Sequence, residues 1–290
     1  MKKLFGLLLL TMLFSCKENK NEKNKNDKPQ EKEILTELYG SWVGGFIVKE
    51  RDTTKELTEM YSNKINIVIK KITESEVIGQ NIVAGNERPL KGKMIQNGNI
   101  IHFVLNEPGD DKNDGVFDFE IKNNVLKGTW IANNKNKNVT ERSFELTKKK
   151  FIYNPAAMLS EGDMYVDFVN PKKQKIKFED EENNEEYIEN TYRMASPSVY
   201  TINSSKQKLK ESDVKNLKKL DLEILRNTIF ARHGLTFKTK TIRQFFDRVD
   251  WYIPISENVN SELTMVEKEN IALLKRFEKY AEDNYDTFGR

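Results

Sequence analysis

"NKINIVIKKI", residues 63–72, decides how the first half of the chain folds. Ile65, Ile67 and Ile69 occupy alternate positions, which puts them on one face of an extended strand and their polar neighbours on the other. The same two-residue period runs on either side of it. "VFDFEI" (116–121) sets Val116, Phe117, Phe119 and Ile121 among acidic partners, and "IIHFVL" (100–105) is a denser strand. The turns between such runs are marked as well. Asn97-Gly98 sits between two apolar runs and signals a type I′ hairpin, and Asn123-Asn124 tolerates the same positive φ angles. Residues 34–152 therefore read as roughly eight short strands with no helix, an antiparallel sandwich or barrel.

Two echoes refine that picture. "LYGSWVG" (38–44) and "LKGTWIA" (126–132) share Leu-x-Gly-[Ser/Thr]-Trp-[Val/Ile], with the glycine easing a bend so that Trp42 and Trp130 pack inside. Gly-x-Trp near a first strand resembles lipocalin-like barrels, and a carrier of small apolar ligands would need an apolar cavity beside these two rings. His102, alone in its strand, reads as a satisfied strand residue. In "EPGDDKNDGVFDFE" (107–120) the calcium-loop pattern fails, because Lys112 and Ile121 stand where ligands are required, so the loop reads as a wide acidic turn. No metal site or cofactor is expected.

Residues 153–208 read as a connecting segment with one or two strands. "YVDFVN" and "SVYTIN" are the strand candidates, and the acidic "KFEDEENNEEYIENTY" between them reads as a solvated face or loop. From residue 209 to 285 the period becomes helical. "KLDLEILRNTIFARHG" offers Asp221 as N-cap with Leu222, Leu225, Ile229 and Phe230 on one stripe. "TIRQFFDRV" gives a short second helix, and Pro254 closes the turn "WYIP". Thr264 and Glu267 form a Thr-x-x-Glu capping box for the last helix. The expected class is thus α+β, an all-β domain followed by a small helical one.

Within the first of these helices stands Arg232-His233-Gly234, the tripeptide with which histidine phosphatases present a nucleophilic imidazole. Here it ends an amphipathic helix, with Gly234 placed for a left-handed C-terminal cap, and the negative end of the helix dipole repels phosphate. The wider pattern resembles the YARHG domain. Phe230-Ala231-Arg232-His233-Gly234 is the motif, preceded by Arg226-Asn227 and followed by Phe237, Phe245-Phe246, Trp251-Tyr252-x-Pro254, Leu263, Glu267 and Asn270-Ile271. Phe230 stands in place of the motif's tyrosine, so no role that needs that phenol applies. The resemblance implies an exported bacterial protein, often a lipoprotein, and carries no established reaction. Arg226, Asn227, Arg232, His233 and Glu267 can then be a buried polar network with Arg232 or Arg226 paired to Glu267. The other reading is a pocket for a carboxylate- or sugar-bearing ligand, walled by Trp251 and Tyr252. An envelope hydrolase using His233 with Glu267 is the catalytic alternative, and no nucleophile converges on that pair in the sequence.

The N-terminus says where such a protein works. Lys2 and Lys3 precede an apolar run, Leu4 to Phe14, too short to span a bilayer, and Leu13-Phe14-Ser15-Cys16 resembles a bacterial lipobox. The resemblance implies removal of residues 1–15 and lipid on Cys16, a membrane anchor facing outside the cytoplasm. Cys16 is the only cysteine, so disulfides, zinc-thiolate sites and cysteine nucleophiles are excluded from the folded part. Residues 16–33 are a polar Lys- and Asn-rich tether without apolar residues. The chain carries +3 formally, but without Lys2, Lys3 and the one excess lysine of the tether, residues 34–290 are neutral. That excludes nucleic acid as a partner. The expectation is a lipid-anchored binding or structural module contacting a cell-wall or surface polymer.

Overall fold

Eight strands follow one another around a closed antiparallel barrel. They are β1 (Gly40–Arg51), β2 (Ser62–Ile72), β3 (Val77–Val83), β4 (Asn86–Asn97), β5 (Ile100–Asn106), β6 (Gly115–Lys122), β7 (Val125–Ala132) and β8 (Val139–Lys149). Each strand pairs with its predecessor and β8 returns to β1, so the sheet has no free edge to aggregate. This is a computed structural model describing residues 31–180 and 183–283, so the expected leader, Cys16 and most of the tether lie outside the described residues.

The alternation does what it foretold. Ile65, Ile67 and Ile69 face inward with Trp42, Phe103, Phe119 and Leu126, all buried, and Phe103 stacks on Phe119 at 5.0 Å between ring centroids. One end of the barrel is closed. A 3-10 turn at Thr36–Leu38 lies across it with Ile34 and Leu35, and Trp42 Nε1 donates to Leu38 O at 2.9 Å. The interior beside Trp42 is filled by side chains, so of the two rings beside which a carrier would need an apolar cavity only Trp130 borders one, and its lining is largely polar. Gly128 is required by this packing, since a Cβ there would collide with Phe119 and the Asp118 carbonyl of β6.

Two hairpins differ from expectation in detail. Asn97 is the last residue of β4 and pairs with Ile100, so the turn is Gly98-Asn99. Only Gly98 has positive φ (60°), the pattern of a II′ rather than a I′ turn. Asn123-Asn124, at φ 51° and 60°, form the I′ turn anticipated.

The connecting segment departs further. Its strands, β9 (Lys172–Asp180) and β10 (Asn183–Thr191), form a separate hairpin across the acidic stretch that read as loop. The Lys-rich arm pairs with the Glu-rich arm, so opposite charges fall on adjoining strands, as in Lys175 with Glu186 at 3.9 Å. "YVDFVN" contributes only an isolated bridge, Val166 with Met194. "SVYTIN" is a helix, α1 (Ser198–Thr201), because Pro197 presets its N-cap and Val199 is buried against the helical core. The helical region therefore begins near residue 198, not 209.

After α2 (Glu211–Val214) come α3 (Lys219–Arg232), α4 (Lys240–Phe246) and α5 (Met265–Glu278). Lys218, not Asp221, is the N-cap of α3. Asp221 sits one turn in and its carboxylate accepts from Lys218 N at 3.0 Å and Ser196 N at 2.7 Å. This region docks against the barrel wall through polar contacts that run from buried at Asn66 to exposed at Lys149. Asn66 Nδ2 donates to Pro254 O at 2.9 Å, Lys64 Nζ to Val249 O and to Tyr252 O, and Lys149 Nζ to Asp250 O.

Candidate functional site

Two clusters of buried polar side chains compete for the role. The first surrounds His233. At the end of α3 the Gly234 amide donates to Ala231 O at 2.9 Å and the Leu235 amide to Phe230 O at 3.0 Å, a Schellman cap that needs the positive φ of Gly234 (76°). The cap turns the imidazole inward. His233 is 6% exposed, its Nε2 lies 2.8 Å from Glu267 Oε2, and the Tyr153 ring stacks on it at 4.3 Å. Glu267, fully buried, is the N3 residue of α5, and Oε2 also accepts from Thr264 N at 2.9 Å. Its Oε1 accepts from Tyr153 Oη at 3.1 Å. Burial alone would push the Glu267 carboxyl up, but bonds from Ser205, Thr264 and His233 carry it below the ordinary range. Burial first, and the nearby Glu267 charge second, push the Tyr153 phenol up to about 12.

The other expected site residues are equally occupied. Arg232 donates from Nε and Nη2 to Ala157 O at 2.9 and 2.7 Å, and from Nη1 to Ser205 Oγ at 3.0 Å. Burial lowers its guanidinium to about 10, so it stays charged. Arg226 makes a forked pair with Glu278 on α5 at 2.7–3.0 Å. Neither arginine is paired with Glu267, as the sequence suggested one would be; His233 has that place, because the cap points it there. Asn227 Nδ2 bonds back to Glu223 O, and Tyr252 Oη donates to Leu235 O within the core. Trp251 Nε1 donates to Met158 O at 2.8 Å, and the residue lines an open groove of about 540 Å³ with Arg232 and Tyr153. Trp251 and Tyr252 do not wall one pocket. His102 lies in β5, far along the sequence in the other region, bonded to Asp118 at 2.7 Å.

The helical region with this capped motif, from α1 to the end of α5, matches the YARHG domain model over residues 198–279. The chain carries a C-terminal YARHG domain. No curated protein and no solved structure matches the chain.

The second cluster lies at the end of the barrel opposite the 3-10 turn, where the YARHG domain reaches over the rim. There a cavity of about 450 Å³ opens. Its floor is aromatic, made by Phe46, Phe117 and Trp130. Its walls are polar residues that continue the inward faces of the strands, Asn63 of β2, Asn81 of β3 and Arg142 of β8, joined by Glu107 just past β5. From the YARHG domain, α4 adds Lys240 and Arg243, and Glu257 follows from the next loop. Glu107 is buried, yet its carboxylate accepts from Asn81 Nδ2 at 2.9 Å, Gly115 N at 2.6 Å and Trp130 Nε1 at 3.1 Å. Burial dominates and raises its pKa despite those three donors. Arg142 is held by Glu59 at 3.1 Å and by the carbonyls of Phe46 and Met60.

Three residues that line this cavity each hold an enclosed polar atom with no hydrogen-bond partner among the described residues. The atoms are Asn63 Oδ1, Asn81 Oδ1 and Arg243 Nε, on residues 6%, 0% and 7% exposed. Sequence reasoning missed all three. The signal was present: Asn63 precedes Ile65, Ile67 and Ile69 on the same face, and Asn81 stands between Val77 and Val83 in the same way. A polar side chain continuing an apolar face at a strand end marks a barrel mouth. No group of acidic, His or Cys residues suited to a metal occurs among the described residues.

Proposed function

We propose that this protein is a lipid-anchored binding protein working outside the cytoplasm, and that its ligand, a cell-wall or surface component, enters the mouth cavity. The observation that supports it is the set of three buried, partnerless polar groups brought to one cavity by two different parts of the chain. An unpaired buried polar group costs roughly 1–3 kcal/mol, and a ligand that supplies the missing bond removes that cost. The His233 cluster supports binding over hydrolysis, since its imidazole and carboxylate are enclosed and hold a helix cap together. The YARHG domain then serves to complete a pocket that the barrel begins. The anchor rests on Leu13-Phe14-Ser15-Cys16 and the polar stretch after it.

A ligand-independent test is available. The side-chain amide resonances of Asn63 and Asn81 and the Nε–H of Arg243, in the full chain, are followed while a small-molecule extract of bacterial envelopes is added. Saturable shifts at these groups, with His233 and Tyr153 unmoved, are expected. Shifts centred on His233, or none at all, would end this reading. Mass spectrometry of the native protein should find acyl chains on Cys16, and Cys16→Ser should move the protein from the membrane to the soluble fraction.

A further inference from the structure

The cavity also constrains what fills it. Of the cations lining it, Arg88 is paired with Asp114 at 2.7 Å, and Arg142 with Glu59 at 3.1 Å. Lys137 donates to Asn113 Oδ1 at 3.0 Å, and Lys240 to the Thr58 carbonyl. Lys240 and Arg243 have no carboxylate at ion-pair distance among the described residues, and of the two only Arg243 is buried, at 7% exposed. Asp247, one turn along the same helix, acts on it only at longer range. A guanidinium does not lose its proton in a protein, so Arg243 is a buried permanent cation lacking a close counterion. Arg142 lies near enough to repel it.

The remaining unpaired groups ask for the opposite. Asn81 donates its amide N–H to Glu107, which fixes its Oδ1 as an acceptor. Asn63 Oδ1 is a second acceptor. Glu107, Asp114 and Glu257 line the same space. A phosphate or polyanion would bring further acceptors against these carboxylates, and a neutral polyol would leave Arg243 without an anion. The aromatic floor of Phe117 and Trp130 suits a compact ligand with a carbon-bound face.

Building on the pocket reading above, we infer that the ligand is a small monocarboxylate whose other polar groups are hydrogen-bond donors, either a sugar acid or an amino acid or short peptide. Its carboxylate lies on Arg243 and its hydroxyl or ammonium donors on Asn63 and Asn81. The forked geometry of a guanidinium suits a carboxylate.

Calorimetric titration of the full chain in detergent tests this with two pairs of probes, glucuronate against glucose and dialanine against its C-terminal amide. At least one acid should saturate the protein and bind at least ten times more tightly than its neutral partner. Arg243→Gln should weaken that acid tenfold or more, Arg243→Lys should weaken it less than Arg243→Gln because the charge stays but the fork is lost, and Asn81→Ala should weaken it several-fold. The circular-dichroism melt of each variant is compared with wild type, so lost binding is counted only in a folded protein. Which acid wins tells the sugar source from the peptide source. Equal binding of acid and neutral partner, or full binding by Arg243→Gln, overturns the assignment. Failure of both acids while the envelope extract still shifts Asn63 and Asn81 overturns the carboxylate but keeps the pocket, and failure of the extract as well removes the pocket.

Discussion

The His233 cluster and the barrel mouth contain similar side chains, yet they are finished to different degrees. Around His233 the carboxylate of Glu267 accepts from an imidazole, a phenol and a backbone amide. At the mouth an amide oxygen on each of two strands and a guanidinium nitrogen on α4 are enclosed without partners among the described residues. A buried polar group that is fully bonded rigidifies the fold, and one left open is a cost the fold bears for some other purpose. The motif residues that draw the eye in the sequence are fully bonded inside the fold, and the quieter residues at the strand ends are the ones that hold unpartnered polar atoms among the described residues.

The sharpest way to break this contrast is to remove the hub of the finished cluster. Glu267→Ala strips the α5 cap and strands a buried imidazole, and should lower unfolding free energy by about 3–5 kcal/mol in denaturant titration. A loss under about 1 kcal/mol would mean that the cluster does not hold the domain together. The pH dependence carries the same signature. Glu267 titrates lower when folded than its ordinary 4.5, so its contribution is present above that value and is lost as pH falls through the lower folded value. Glu267→Gln should therefore show a shallower acid decline than wild type.

Asp247 should slope the other way. Burial pushes it up to about 6 from 3.8, opposed first by a hydrogen bond from the Lys64 backbone and then by the charges of Arg243 and Lys64, and its Oδ2 is enclosed without a partner among the described residues. Folding then favours the neutral acid, and stability that is present below pH 3.8 is lost as pH rises to about 6. Asp247→Asn should gain on wild type across that window, on the order of 1 kcal/mol, and the gain should level off above it. A constant difference at all pH values would remove the buried carboxylate from the account.

Arg243→Met tests the open cluster directly. It should leave the unliganded protein as stable as wild type or more stable, by up to about 1 kcal/mol, while binding is lost. A fall of more than about 2 kcal/mol would put Arg243 among the structural residues and erase the contrast. The smallest effect is expected at His102, whose bond to Asp118 is solvent-facing. His102→Ala should stay within about 0.5 kcal/mol of wild type.

Much of the architecture was legible in the chain. Ile65, Ile67 and Ile69 foretold an inward face, Asn123-Asn124 a turn, and Thr264 with Glu267 a helix start, because each depends on local geometry that repeats wherever the pattern occurs. The misreadings arose where tertiary context overruled local signals. "SVYTIN" has strand-forming residues, but Pro197 and the burial of Val199 under the helical core make it a helix. The acidic stretch before it forms a hairpin because a lysine-rich strand lies alongside. At the His233 site the cap was readable from Gly234, and the sequence paired Glu267 with His233 only in the catalytic alternative and with an arginine in the structural one; that the imidazole takes this place inside a closed cluster was decided only where α3 and α5 meet in the fold.

The sequence alone determined the strand and helix periods, the turn and cap residues and the neutral charge of the folded part, since these follow from neighbours along the chain. Tertiary structure decided which polar groups are satisfied. Asn63, Asn81 and Arg243 come from β2, β3 and α4, and only the closing of the barrel and the docking of the YARHG domain bring them to one cavity. Whether a buried donor or acceptor has a partner depends on distances between segments far apart in sequence, which no local pattern encodes.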